Sequence, residues 1–167
     1  MTRLTGRVWK YGDDVNTDII FAGKYTYGIS DPAEMARHAL EDLDPAFAAN
    51  VQPGDIIVAG KNWGCGSSRE QAVICLKQIG VAALVARSFA RIYYRNAINY
   101  ALPIVTCDAV DGIESGEMLT IDFEAGTVTT PRATYTFPAF SPEVLAILSD
   151  GGLIPHVQKQ LGITPVA

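Results

Sequence analysis

The sequence lacks the segments that would direct a chain into a membrane or out of the cytosol. Residues 1–10 contain no apolar stretch followed by small residues at a cleavage site, so no secretory signal is visible. The longest apolar stretch, Val81–Ala86, is far too short for a membrane-spanning helix, which needs about 20 residues. We therefore expect a cytoplasmic protein without a membrane partner.

Metal-ligating side chains are also scarce. The chain has three cysteines and two histidines, namely Cys65, Cys75, Cys107, His38 and His156. The spacing of the cysteines matches neither a zinc site nor a run of iron–sulfur ligands. An odd number of cysteines without a signal peptide is typical of reduced thiols. We expect this chain to bind no metal by itself, so a partner must supply any metal that is used.

Positive charge is in deficit. There are 13 Lys and Arg against 18 Asp and Glu, which gives a net charge of −5 and argues against a broad nucleic-acid-binding surface. A local basic pocket for a small anion stays compatible with this balance. A length of 167 residues with 49% apolar content fits one domain, residues 1–167, with a sizeable core.

Apolar and β-branched stretches alternate with helical patterns, which predicts an α/β fold in three layers. The predicted strands are Gly6–Tyr11, Asp55–Ala59, Ala82–Ala86, Ile104–Thr106, Met118–Phe123, Thr127–Thr130 and Thr134–Phe137, the last three antiparallel. One helix begins at Asp31-Pro32 and carries Met35, Ala36, Ala39 and Leu40. The other predicted helices are Ser67–Ile79, Ser88–Asn96, Ser141–Leu148 and Leu153–Leu161.

The most informative segment is the glycine-rich loop at residues 60–70, which joins a predicted buried strand to a predicted helix. Backbone N–H groups and the helix dipole favour an anion at such a place. Gly64 and Gly66 allow close approach of a ligand, and Arg69 offers a planar fork suited to a carboxylate or phosphate. The spacing excludes the common nucleotide-binding motifs, because Arg69 stands where a dinucleotide fingerprint needs its third glycine.

A structural interpretation of the same loop stays open. Ser67 with Glu70 three residues later forms a capping box, which by itself explains both residue types. A cap does not explain two neighbouring glycines, a second serine and an arginine in one turn. We favour anion binding and keep the cap as the alternative.

These residues carry a resemblance to a known family. Gly-x-Gly-Ser-Ser-Arg-Glu at residues 64–70 resembles the signature of the swivelling domain of the aconitase superfamily. Residues 6–18 and 88–99 are similar to the corresponding segments of 3-isopropylmalate dehydratase small subunits, so the resemblance spans about 6–108. Gln71 departs from the pattern, where a histidine is more usual. The resemblance implies a three-layer β/β/α swivelling domain.

The family also implies a reaction, in which water leaves and re-adds across neighbouring carbons of a hydroxy dicarboxylate. For this subfamily it interconverts 2- and 3-isopropylmalate in leucine biosynthesis. Ser67 matches the serine that acts as base, Arg69 matches the arginine that binds a substrate carboxylate, and Ser68 is expected to donate to substrate or backbone. A [4Fe–4S] cluster is expected on a partner large subunit, in a heterodimer or heterotetramer. The alternatives are a 2,3-dimethylmalate dehydratase or homoaconitase subunit, or a non-catalytic anion-binding regulatory domain.

Three further features have two interpretations each. The Thr17-Asp18 pair lies near the active site in the family, so Asp18 is expected to orient an arginine or catalytic groups of the partner, or else to be a turn residue. Tyr25, Thr26 and Tyr27 lie in the loop that meets the variable arm of the substrate in the family, and they favour an alkyl arm over a carboxylate; alternatively the tyrosines only pack the loop. Arg91 and Arg95, interleaved with tyrosines, are expected on a solvated helix surface, with a partner-binding face as the alternative.

Overall fold

The structure, a computed structural model, describes residues 2–164, whose strands form one seven-stranded sheet. The strands are β1 Arg3–Lys10, β2 Ile56–Ala59, β3 Ala83–Ala86, β4 Ile104–Thr106, β5 Met118–Asp122, β6 Thr127–Thr129 and β7 Thr134–Thr136. Their order is β4-β3-β2-β1-β5-β6-β7. The first four strands are parallel, and β5 to β7 continue the sheet antiparallel from the other edge of β1. Each predicted strand is present within a few residues of its predicted bounds.

The sheet separates two apolar cores. Successive strand side chains point to opposite faces, so Ile57 and Ala59 of β2 join the core on the helix side. Ile56 and Val58 of the same strand join a second core, to which the antiparallel half contributes residues such as Leu119. Helices, parallel strands and antiparallel strands therefore form three layers, and the predicted β/β/α arrangement is confirmed.

The helices lie mainly on one side of the parallel strands. They are α1 Thr17–Ile20, α2 Pro32–Arg37, α3 Phe47–Asn50, α4 Gln71–Ile79, α5 Arg91–Asn99, α6 Pro142–Ser149 and α7 Leu153–Gln160, with 3₁₀ turns at Gly23–Tyr25 and Asp108–Gly112. Asp31 caps α2 as predicted, by accepting from the Ala33 N–H at 3.2 Å. The predicted extension of that helix through Leu40 is wrong, because Leu40 has a positive φ of 56°. Within the described residues, no helix combines the length and hydropathy needed to cross a bilayer.

The predicted start of the helix after the glycine-rich loop is also wrong. The helix α4 begins at Gln71, four residues after Ser67, and Glu70 occupies its N-cap position without a side-chain capping bond. The Glu70 carboxylate instead accepts from the Tyr100 hydroxyl at 2.7 Å. The capping-box interpretation of Ser67 and Glu70 therefore fails. The Ser67 carbonyl lies outside the helix and accepts a hydrogen bond from the Thr17 hydroxyl at 2.8 Å.

Candidate active site

The glycine-rich loop, residues 60–70, is clamped between two other segments of the chain. On one side the Thr17 N–H donates to the Cys65 carbonyl at 2.9 Å. On the other side the Trp63 N–H donates to the Ser88 carbonyl at 3.1 Å. Both contacts have the pairing of isolated parallel β-bridges. The loop therefore has a fixed backbone, as a binding or catalytic loop requires.

Gly64 allows this loop to lie directly on α5. It has a φ of 79°, and a Cβ at this position would stand 2.2 Å from Cγ of Tyr93, so no side chain fits. The Tyr93 ring is buried, and its hydroxyl donates to the Ala72 carbonyl of α4 at 3.0 Å. Tyr93 thus fixes the loop against both flanking helices. Tyr93 is one of the tyrosines interleaved with Arg91 and Arg95, and the prediction of a solvated helix surface is wrong for it.

Ser67 and Ser68 present free hydroxyl groups. Both residues are exposed, and no side chain or backbone group among residues 2–164 hydrogen-bonds to either hydroxyl. The Thr17 contact fixes only the Ser67 backbone. Ser67 lines an open depression of about 450 Å³, whose other lining residues are Gly64, Gly66, Ala90, Arg91, Ile92 and Arg95. Its hydroxyl is therefore available to a ligand.

Arg69 is oriented by two side chains from another part of the chain. Its Nη2 lies 2.7 Å from Asp18 Oδ1, and its Nη1 donates to Thr26 Oγ1 at 3.0 Å. The guanidinium passes over Gly23, where a Cβ would stand 3.1 Å from both terminal nitrogens. The Arg69 side chain is only 20% exposed. Three predicted site residues, Asp18, Thr26 and Arg69, therefore meet, and the N–H groups not used in these bonds remain for an anion.

The two predicted tyrosines have different surroundings. The Tyr25 hydroxyl donates to Glu41 at 2.8 Å, and its ring lies 4.1 Å from the His38 ring. This hydrogen bond and burial raise the pKa of Tyr25 above its ordinary value. Tyr27 is fully exposed. Tyr25 is thus built into the support of the loop, Tyr27 projects from it, and a substrate contact by either stays a prediction.

Glu41 contacts several of the residues that support this loop. Besides Tyr25 it contacts His38 Nδ1 at 2.7 Å and Lys24 Nζ at 3.2 Å. Burial disfavours the charged form of Glu41, but the hydrogen bonds from His38, Tyr25 and Lys24 outweigh it, so the pKa of Glu41 lies below its ordinary value. An ionised Glu41 therefore braces residues 24–25 against the end of α2.

The residues described here do not fit an iron–sulfur cluster. Among residues 2–164 there is no group of three or more His, Cys, Asp or Glu side chains that could hold a metal ion. Cys75 and Cys107 are buried, and burial raises the pKa of both thiols, which disfavours thiolate ligands. Cys65 is half-buried within the clamped loop.

Several contacts around the candidate site were not predicted from the sequence. Thr17, which anchors the Ser67 backbone, and Glu41, which anchors Tyr25, carry no local signal, because their partners are distant in sequence. The burial of Tyr93 could have been found from its i, i+4 relation to the apolar Ala97 on one face of α5. Arg91 and Arg95 are exposed as expected, yet both line the depression at Ser67.

The chain matches known proteins in sequence over most of its length. A profile of the aconitase C-terminal domain matches residues 16–108. The 3-isopropylmalate dehydratase small subunit of Halothermothrix orenii is 48% identical over 93% of this chain and 96% of its own. That of a Hydrogenobaculum species is 49% identical over 95% of this chain and 98% of its own.

Solved structures of related proteins also resemble this chain. The crystal structure of 3-isopropylmalate dehydratase from Methanocaldococcus jannaschii is 41% identical, covers 95% of both chains and superposes with a TM-score of 0.90. Aconitase X from Thermococcus kodakaraensis, at 19% identity and a TM-score of 0.53, shares the fold alone. On sequence, fold and extent of the match, this chain belongs to the family of 3-isopropylmalate dehydratase small subunits, with an aconitase C-terminal domain.

Proposed function

We propose that this chain acts with a large subunit as a cytoplasmic hydro-lyase that interconverts 2-isopropylmalate and 3-isopropylmalate in leucine biosynthesis. The observation that carries the proposal is the clamped loop, on which the exposed Ser67 hydroxyl has no partner within residues 2–164. Two residues further along the chain, the Arg69 guanidinium is already held by Asp18 and Thr26. The names of the relatives supply the reaction, and the loop supplies a base and a carboxylate-binding group that suit it.

In the proposed mechanism Ser67 moves the proton that is bound to carbon. As an alkoxide it takes a proton from the carbon next to the carbinol, the electrons of that C–H bond form the C=C bond, and the C–O bond of the carbinol breaks. The hydroxyl group departs as hydroxide, for which the cluster assigned to the large subunit would supply Lewis-acid assistance. In rehydration the Ser67 hydroxyl returns the proton to one carbon while the hydroxyl group adds to its neighbour. An alkoxide is costly at neutral pH, so its charge needs nearby donors. We assign that role to backbone amides of the loop and to Arg69.

Arg69 is proposed to bind one carboxylate of the substrate, with Ser68 donating a further hydrogen bond. A guanidinium fork matches a carboxylate in a bidentate manner, which fixes direction as well as position. Because Asp18 and Thr26 already orient the fork, little conformational freedom is lost when the substrate binds. Asp18 therefore serves as a positioning residue for Arg69.

The loop at residues 23–29 is proposed to receive the alkyl arm of the substrate. Its cation, Lys24, is paired with Glu41 at 3.2 Å, so an extra carboxylate would compete with Glu41 for it. Burying a carboxylate without a partner would cost several kcal/mol, on the order of 3–5. Thr26 and Tyr27 are proposed to contact the arm, and Tyr25 to support them through Glu41. An isopropyl group suits this loop better than the acidic arm of a homoaconitase substrate.

The remaining parts of the proposal concern assembly. We assign the [4Fe–4S] cluster that the family implies to the large subunit, in a heterodimer or heterotetramer. Residues 1–167 act in that assembly as one swivelling domain that closes over the partner.

The test is reconstitution with a purified large subunit. The isolated chain should contain no iron and show no turnover, whereas the complex should convert 3-isopropylmalate faster than 2,3-dimethylmalate or homoaconitate. Stoichiometric iron with turnover in the isolated chain would contradict the two-subunit proposal. A complex that forms but converts none of the three substrates would favour a regulatory anion-binding domain instead.

A further inference from the structure

Three residues of α5 form an exposed stripe beside the depression at Ser67. Arg91 and Arg95 are both exposed and stand one helical turn apart, and Ile92 between them is 50% exposed. All three line the same depression as Ser67. We name Arg91, Ile92 and Arg95 the α5 stripe.

The charges of the α5 stripe have no counterpart in this chain. Neither Arg91 nor Arg95 forms an ion pair or hydrogen bond with any residue in the described part of the chain, although the protein has a net charge of −5. Like charges at i and i+4 also weaken a helix. Neither arginine gains an ion pair within the described residues, so the charge of both is available to an external partner.

The α5 stripe differs from the proposed substrate-binding arginine. Arg69 is mostly buried and held by two side chains, whereas Arg91 and Arg95 are exposed and held by none within residues 2–164. The exposed Ile92 side chain is apolar, so a bound substrate carboxylate would not make a favourable contact with it. Arginines around an exposed apolar side chain are instead typical of a protein–protein interface.

We infer that the α5 stripe is a docking surface for the large subunit, whose carboxylates face Arg91 and Arg95 and whose apolar side chains cover Ile92. The inference rests on the proposed function, because it takes a substrate-bearing large subunit as the occupant. Ser67 can reach a substrate held by that partner only if the partner comes up to the rim of the depression. The α5 stripe lies on that rim.

The test measures the dissociation constant of this chain from the large subunit in the absence of substrate, at low and at high ionic strength. Arg91→Glu with Arg95→Glu should weaken association by at least about tenfold at low salt, and salt should reduce the effect. Ile92→Ser should weaken it at both salt concentrations. Arg37→Glu is the matched control, since Arg37 is an exposed helical arginine that does not line the depression, and it should change the constant by less than about twofold.

An unchanged dissociation constant in the double charge reversal would overturn the inference. If turnover nevertheless fell in that variant, the two arginines would bind the substrate rather than the partner. Failure of the wild-type chain to associate at all would instead contradict the proposed function, and it would be seen before any variant is made. Circular dichroism of the free variants checks their folding, and Arg91→Gln with Arg95→Gln replaces the charge reversal if folding is lost.

Discussion

The Asp18 carboxylate lies 2.7 Å from Nη2 of Arg69, although the two residues come from different segments of the chain. Thr26 accepts from the other terminal nitrogen at 3.0 Å, so two neighbours set the direction of the guanidinium. Asp18 is 57% exposed, and an ion pair of this kind contributes only about 0–1 kcal/mol to folding. The ion pair therefore orients the Arg69 guanidinium and contributes little to the stability of the fold.

Asp18→Asn should loosen Arg69 without unfolding the protein. We expect kcat/KM of the reconstituted enzyme to fall roughly tenfold, about 1.4 kcal/mol, mainly through a higher KM. The melting temperature should stay nearly constant. Asp42→Asn, at an exposed aspartate outside the site, is the control. An unchanged KM in Asp18→Asn would show that the contact does not position the arginine.

Arg69→Lys should have a larger effect, although it keeps the positive charge. A lysine ammonium cannot reach Asp18, Thr26 and a substrate carboxylate with the geometry of a planar fork. Loss of a charge-assisted bidentate contact is worth about 2–3 kcal/mol, so kcat/KM should fall on the order of 100-fold. Steady-state kinetics of Arg69→Lys measure this fall in kcat/KM, and Arg37→Lys is the control. Unchanged substrate affinity and rate would exclude the carboxylate-binding role.

The strands and the serine–arginine loop could be predicted because their signals are local. The buried run at Ile56–Ala59 and the glycines and serines around residue 67 need only neighbouring residues to be interpreted. The helix start at Ser67 could not be predicted in the same way. A capping box expresses a local preference, whereas here the Ser67 carbonyl is held by the distant Thr17 hydroxyl and the helix begins four residues later.

The assembly of the site depends on contacts between distant segments. Thr26 and Arg69 are 43 residues apart in sequence, and no short pattern indicates that they meet. The contact between Tyr25 and Glu41 also joins residues that are distant in sequence, and it forms only because the turn after α2 brings Glu41 back to Tyr25. The residue types of the site were therefore predictable, but their hydrogen-bond partners were not.

Glu41→Gln tests the support of the loop through its pH dependence. Because the pKa of Glu41 is lowered in the folded protein, the ionised carboxyl stabilises the fold above its ordinary pKa of 4.5. That contribution is lost as the pH falls through the folded pKa. Wild type should exceed Glu41→Gln by about 1 kcal/mol in unfolding free energy at pH near 7, and the difference should shrink below pH 4.5. Urea unfolding at a series of pH values measures it, and a difference that does not vary with pH would contradict this role.

Tyr27→Arg tests the proposed substrate arm. Tyr27 is fully exposed, so an arginine fits there without disturbing the core, and it adds a second cation to a loop whose Lys24 is paired with Glu41. We expect kcat/KM for homoaconitate to rise about tenfold relative to 3-isopropylmalate. Ser30→Arg places the same charge three residues further along the chain and serves as the control. The large subunit would be shown to select the substrate by either of two results. One is a wild-type preference for homoaconitate, and the other is a ratio of the two kcat/KM values that does not change in Tyr27→Arg.

The central claim is that Ser67 is the base, and Ser67→Ala in the reconstituted complex tests it most directly. The Ser67 hydroxyl has no partner within residues 2–164, so its removal should change the unfolding free energy by less than about 0.5 kcal/mol. The affinity for the large subunit should also be retained. We predict that kcat falls roughly 1,000-fold, the range of a lost general base, while Ser68→Ala loses only about tenfold. A Ser67→Ala complex that assembles fully and keeps more than about one-tenth of the wild-type kcat would contradict the account.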